Sequence, residues 1–309
     1  MEEKCSYKKF KDLVLCYVKR KFDTDVNIEI HNVVKNNSFE LEGMVIIENG
    51  KNISPNFYLQ LYYQEYLHGT CIEDIVAQML KRYEELQYED FSNFSMDIES
   101  CMDKIVCRLV SYEKNSKLLE DIPHIRFLDL AIIFYCLVTE NKDGIGSIRI
   151  SNKIMENWNM TVKMLYQVAI YNTERLFPKV FCSLQSMLES MLVSGTKEMS
   201  EAFYDAYDYN LQDVKAPFIL TNRRGINGAA VILYPDCLKE IGKMAGDDLY
   251  IIPSSIHELI IVPDYIQTHP KELRRMVKEV NTSCVAAEEV LSDMIYKYSV
   301  EKNVIEICN

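Results

Sequence analysis

The residues best placed to do chemistry fall in two short clusters. Asn222, Arg223, Arg224 and Asn227 lie in T-N-R-R-G-I-N-G, and Ser254, Ser255, His257 and Glu258 lie in P-S-S-I-H-E. Guanidinium forks beside exposed turn amides suit a phosphate or a carboxylate. His257 is the candidate general base, with Glu258 or Asp264 to orient it. A zinc protease needs H-E-x-x-H on one helix. Here Glu258 is followed by Leu, Ile, Ile and Val, so no metal is expected. In a strand, adjacent side chains alternate, which sends His257 and Glu258 to opposite faces. Each cluster also has a plain structural reading. Ser254, Ser255 and His257 can bond the backbone of a tight turn, and the arginine run can be a solvated hairpin tip. If both turns meet at one sheet edge, they form one pocket for a small anion.

Other signals are weaker. Asp129 lies inside the apolar run Phe127 to Val138 and either pairs with Arg126 or a nearby lysine, the default expectation, or faces water on an edge. Tyr58, Tyr62, Tyr63 and Tyr66 could stack on bases, but acidic surroundings favour a core or a partner surface. Gly144-Ile-Gly146 lacks the third glycine of a dinucleotide loop. No phosphate-binding P-loop, G-x-S-x-G elbow or calcium loop occurs, so no cofactor is expected.

The chain has 309 residues, 48% of them hydrophobic and 26% charged, with a net charge of −12. That size allows two domains. That charge gives no long-range pull toward nucleic acid or an anionic membrane. The ten cysteines include no C-x-x-C pair and sit within apolar patterns, as reduced thiols of a cytoplasmic protein do. No signal peptide or spanning segment is read. Oligomeric state leaves no trace in the sequence.

The elements that must hold the clusters are strands and helices in alternation. Tyr7 to Val18 carries a helical stripe, Val26–Val34 and Phe39–Ile47 a hairpin, and Ile72 to Tyr83 a helix. Met102 to Val110 reads as a helix, Phe127 to Val138 as one buried strand and Thr161 to Ile170 as a capped helix. Phe218–Leu220 and Gly228–Tyr234 read as a strand pair joined by Asn222 to Asn227. A short helix ends at Gly246, a second pair joins Leu249–Ile252 to Leu259–Val262, a helix starts at Pro270, and a last pair closes the chain. The expected fold is α+β: antiparallel sheets built from strand-strand-helix units, with helices on one face. The expected division is an N-terminal α+β region 1–195, a polar linker 196–215 and a C-terminal α+β domain 216–309.

The runs YEKNSKLLEDIPHIRFLDLAIIFYCLV, ILTNRRGINGAAVILYP, DLYIIPSSIHELIIVPD and AAEEVLSDMIYKY resemble an uncharacterised bacterial family known as a domain of unknown function and typical of Gram-positive gut anaerobes. The L-T-N…G-A-A-x-I-L-Y-P and P-S-S-I-H-E blocks carry the likeness, which spans nearly the whole chain and implies no activity. From the residues, the expected function is a non-enzymatic interaction or small-ligand-binding module, taking a protein partner or a small anionic ligand. The alternative is a hydrolase or nucleic-acid-processing enzyme built on His257, Glu258, Arg223 and Arg224.

Overall fold

The computed structural model describes residues 4–22, 26–48, 54–88, 95–141, 144–183, 217–253, 255–266 and 269–308. They form two compact units, one of Met1–Lys35 with Phe39–Ser95, the other of Asn36–Ser38 with Met96–Asn309. The expected linker 196–215 lies outside the described residues. The strands on either side of it belong to one sheet of the second unit, and the two units divide near residue 95.

In the first unit, α1 (Tyr7–Lys19) is capped by Ser6, whose hydroxyl accepts the Lys9 N–H. It buries Phe10, Val14 and Val18, four residues apart and therefore on one helical face. Strands β1 (Val26–Val34), β2 (Glu40–Glu48) and β3 (Phe57–Tyr58) form an antiparallel sheet with Ile28 opposite Ile46. Met44 and Ile46 enter the core beside Phe10 and beside Ile75 and Met79 of α3 (Ile72–Tyr88). The tyrosine run continues into α2 (Leu59–Leu67). The Tyr63 and Tyr66 rings lie 5.2 and 5.4 Å from that of Phe10, and the Tyr63 hydroxyl donates to the Cys5 carbonyl. These rings are core packing, not a stacking platform.

The second unit pairs two sheets. After α4 (Ile98–Cys101), strands β4 (Ile105–Ser111), β5 (His124–Phe127), β6 (Leu130–Asn141) and β7 (Gly144–Arg149) form the smaller one, with α5 (Ser116–Glu120) between β4 and β5. Helices α6 (Asn152–Asn157) and α7 (Val162–Leu176) follow. The larger sheet runs β13-β12-β10-β11-β9-β8. Its strands are β8 (Lys179–Ser183), β9 (Phe218–Asn222), β10 (Leu249–Ile252), β11 (Leu259–Pro263), β12 (Tyr296–Ser299) and β13 (Val304–Ile307). Leu109, Ile132 and Phe134 of the smaller sheet pack in one core with Leu220, Ile251 and Ile261 of the larger. On the far face of the larger sheet, Leu273 and Val277 of α9 (Pro270–Ser283) cover Tyr250, Ile252 and Val262.

The antiparallel α+β architecture matches the sequence reading, and three local elements do not. Met102 to Val110 is a 3-10 turn followed by strand β4, with apolar residues buried on both faces. Such a strand has no period-two alternation to separate it from a helix. The buried strand expected over Phe127 to Val138 is present from Leu130 onward as β6, but Phe127 ends β5, because Leu128 takes φ 57° and turns the chain between the two strands. Gly228–Leu233 is a 3-10 helix, not a strand; its first five residues are all buried. It leads into α8 (Cys237–Ala245), which ends at the left-handed Gly246 as expected. Among the described residues Asp129 forms no ion pair. Its carboxylate accepts from the hydroxyls of Ser292 (2.6 Å) and Tyr296 (2.5 Å).

Candidate functional site

The two polar loops meet because their strands are neighbours. β9 and β11 pair with Leu220 opposite Leu259, which puts the end of β9 beside the start of β11. Asn222 caps the first loop from within. It is buried, its side-chain oxygen accepts the Arg224 N–H at 3.0 Å, and its side-chain nitrogen donates to the Ile226 carbonyl at 3.0 Å. Asn227 takes the left-handed conformation at φ 53°, one that asparagine tolerates. Its N–H then points at His257 and donates to Nδ1 at 3.2 Å.

The second loop is stitched down as well. His257 N–H donates to Ser255 Oγ at 3.0 Å, and the His257 carbonyl accepts from Thr221 Oγ1 at 2.8 Å. The Ile256 carbonyl accepts the Ala229 N–H at 3.1 Å. Gly228 sits at the crossing. A Cβ there would collide with Thr221 Oγ1 and the His257 carbonyl oxygen, so the close approach of the two loops requires glycine. Ser255 bridges to Val290, and the Ile256 N–H donates to the Glu289 carbonyl at 2.9 Å. That bridge brings Glu289 Oε1 to 3.4 Å from His257 Nε2.

The predicted residues thus split. His257, Asn227 and Ser255 are brought together, and Asn222 braces the same loop. Arg223 has its side chain exposed and its N–H on the Pro178 carbonyl, and the Arg224 side chain is half-buried. Ser254 lies outside the described residues. The carboxylate facing the imidazole is Glu289, not Glu258 or Asp264; Asp264 instead pairs with Lys297 at 2.8 Å. Glu258 is half-buried, and burial followed by the charge of Glu289 pushes its carboxyl above the ordinary range.

The chemistry of this arrangement follows from the inventory of a neutral imidazole, one donor nitrogen and one acceptor nitrogen. Asn227 occupies the acceptor, which leaves Nε2 as the N–H facing Glu289. The ring then holds no lone pair for a substrate proton. The Ser255 hydroxyl is 8% exposed and already accepts from the His257 N–H. Among the described residues, no group of three or more His, Cys, Asp or Glu is arranged to hold a metal.

A family match extends over residues 7–300, through both compact units and both loops. The chain belongs to DUF5688, a family of unknown function. No curated protein and no solved structure matches it. In this DUF5688 member, sequence reasoning missed Glu289, Thr221 and Gly228. Glu289 is distant in sequence and reaches His257 only through the Ser255–Val290 bridge. Gly228 left a trace, since a glycine directly after a left-handed asparagine marks a close backbone approach. Among the described residues no helix is long and apolar enough to cross a membrane.

Proposed function

We propose that the protein is a non-catalytic binding module that acts through a protein partner or a small anionic ligand. The observation that carries this reading is the double engagement of the His257 ring, with Nδ1 on the Asn227 N–H and Nε2 facing Glu289. A general base must present a lone pair to the proton it removes. The loop crossing is better suited to holding β9 and β11 in place than to turning over a substrate. Arg223, exposed at the edge of this crossing, is the side chain that a carboxylate or phosphate would meet first.

The rival reading is a hydrolase that uses His257 and Glu258, with Arg223 and Arg224 on the substrate. Its support is the raised carboxyl of Glu258, since perturbed groups cluster at functional sites. The two hydroxyls described in the crossing, those of Ser255 and Thr221, are both buried and held on the His257 backbone. The test is turnover of p-nitrophenyl phosphate, p-nitrophenyl acetate and single-stranded RNA by the full chain and by His257→Gln. The binding reading expects the same background from both proteins. Turnover that disappears in the variant would restore the hydrolase.

A further inference from the structure

The smaller sheet of the second unit has a face that the shared core does not use. Leu109, Ile132 and Phe134 point into the core, so their sequence neighbours point away. In register, Arg108 lies opposite Ile133, Arg149 opposite Tyr135, Ser147 opposite Leu137 and Arg126 opposite Ala131. Arg108, Arg126 and Arg149 therefore share one face of one sheet. The Arg108 guanidinium lies 3.9 Å from the centre of the Tyr135 ring, and its Nη2 donates to Ser147 Oγ at 2.8 Å. Arg126 lies over Tyr112 at 4.5 Å and, among the described residues, donates only to the Leu128 carbonyl.

Among the described residues, none of these three arginines makes an ion pair or has a further partner. In a chain with 46 Asp and Glu against 34 Lys and Arg, that is a departure from expectation. Other cations of the same unit do find carboxylates: Lys179 meets Glu240 at 2.6 Å and Lys297 meets Asp264 at 2.8 Å. Burial holds the Arg108 pKa below its ordinary value, with only Tyr135 acting against it. A desolvated cation without a counter-charge is unfavourable unless something supplies the anion.

The walls limit what that anion can be. At one end of the face, Leu119 and Ile122 pack on Val110 and Ile133; at the other, Phe177 and Leu176 pack on Val106 and Leu137. Arg108, Tyr135, Ser147 and Arg149 lie between these apolar clusters. The net charge of −12 works against a long polyanion. Strand spacing puts the Cα atoms of Arg108 and Arg149 roughly 12 Å apart, near enough for two long side chains to converge on adjoining oxyanions.

We propose that the sheet face around Arg108, Tyr135, Ser147 and Arg149 binds a small ligand carrying two adjoining phosphate groups. The ligand is pyrophosphate itself or the diphosphate of a nucleotide. Each guanidinium takes one phosphate in a bidentate fork, and Ser147 holds Arg108 in position. This site is separate from the His257 crossing and does not depend on it.

The test is titration calorimetry on the full chain at low ionic strength with pyrophosphate and, separately, with ADP. The same titrations are run on Arg149→Gln, Arg108→Gln and Arg275→Gln. Saturable binding of either probe, weakened at least tenfold in the first two variants and unchanged in Arg275→Gln, is the expected result. Tighter binding of ADP than of pyrophosphate would assign the diphosphate to a nucleotide. Among the described residues the Arg149 side chain makes no hydrogen bond or ion pair, so its variant keeps the test valid if Arg108→Gln fails to fold. Absence of binding by both probes, or equal affinity in Arg149→Gln, overturns the proposal. So does a preference for a single-stranded oligonucleotide over both probes. No arm reads turnover, so failure here leaves the non-catalytic reading of His257 untouched.

Discussion

The backbone N–H of Asn227 donates to Nδ1 of His257 at 3.2 Å, joining the loop after β9 to the loop before β11. A side chain that looked catalytic in the sequence is the acceptor that ties down a left-handed asparagine. Removing it leaves a partly buried amide without its partner, at a cost of about 1–2 kcal/mol. His257→Ala should therefore lower the melting temperature by a few degrees, as read by thermal unfolding followed by circular dichroism. An unchanged melting temperature would mean that the hydrogen bond contributes nothing to stability.

Gly228 is the tightest point of the crossing. Overpacking a close contact costs about 1–3 kcal/mol and at times more. Here the obstacles are the Thr221 hydroxyl and a backbone carbonyl, and the carbonyl cannot rotate away. Gly228→Ala is expected to destabilise the second unit by about 3 kcal/mol in urea unfolding, near the upper end of that range.

Glu258 should make stability depend on pH with a definite sign. Its folded-state pKa is raised above the ordinary 4.5, by burial first and by Glu289 second. The protonated form is the one the fold favours, so the stabilisation is complete below pH 4.5 and is lost as pH rises through the folded value. Glu258→Gln should accordingly melt at a higher temperature than the parent at pH 8 and at the same temperature in acid. A variant less stable than the parent at pH 8 would contradict this.

Asp129 ties the β5–β6 turn to β12 through the Ser292 and Tyr296 hydroxyls, and Tyr296 is fully buried. Hydrogen bonds to a charged group contribute about 1.5–3 kcal/mol each. Tyr296→Phe removes one of them and should cost about 2 kcal/mol in urea unfolding. Asp129→Ala leaves two hydroxyls unsatisfied and should cost more. Equal costs for the two substitutions would show that Ser292 contributes nothing.

How much was legible depended on how each element meets its surroundings. The β1–β2 hairpin and its turn could be read because its alternating pattern and an Asn-Asn-Ser turn agree. The β10–β11 pair was legible from two apolar runs bounded by Pro253 and Pro263, and α8 from Gly246 at its end. Strand β4 was not, because Ile105, Val106, Leu109 and Val110 also fit a helical face, and burial on both sides of a sheet removes the alternation. The 3-10 helix at Gly228 was missed for a related reason, since a run buried all round carries no period. At the site, sequence located the two loops, and the pairing of β9 with β11 explains why they meet. It could not supply Glu289, whose place is set by a bridge to a distant segment, nor the basic face of the smaller sheet. That face appears only when the registers of β4, β5, β6 and β7 are laid side by side.

Which nitrogen of His257 bears the proton decides whether the ring can act as a base, and a long-range proton–nitrogen correlation spectrum of the imidazole at neutral pH reads this directly. The predicted result is the Nε2–H tautomer, with Nδ1 acting as acceptor of the Asn227 N–H. A ring protonated at Nδ1 would contradict this and return His257 to the possible bases.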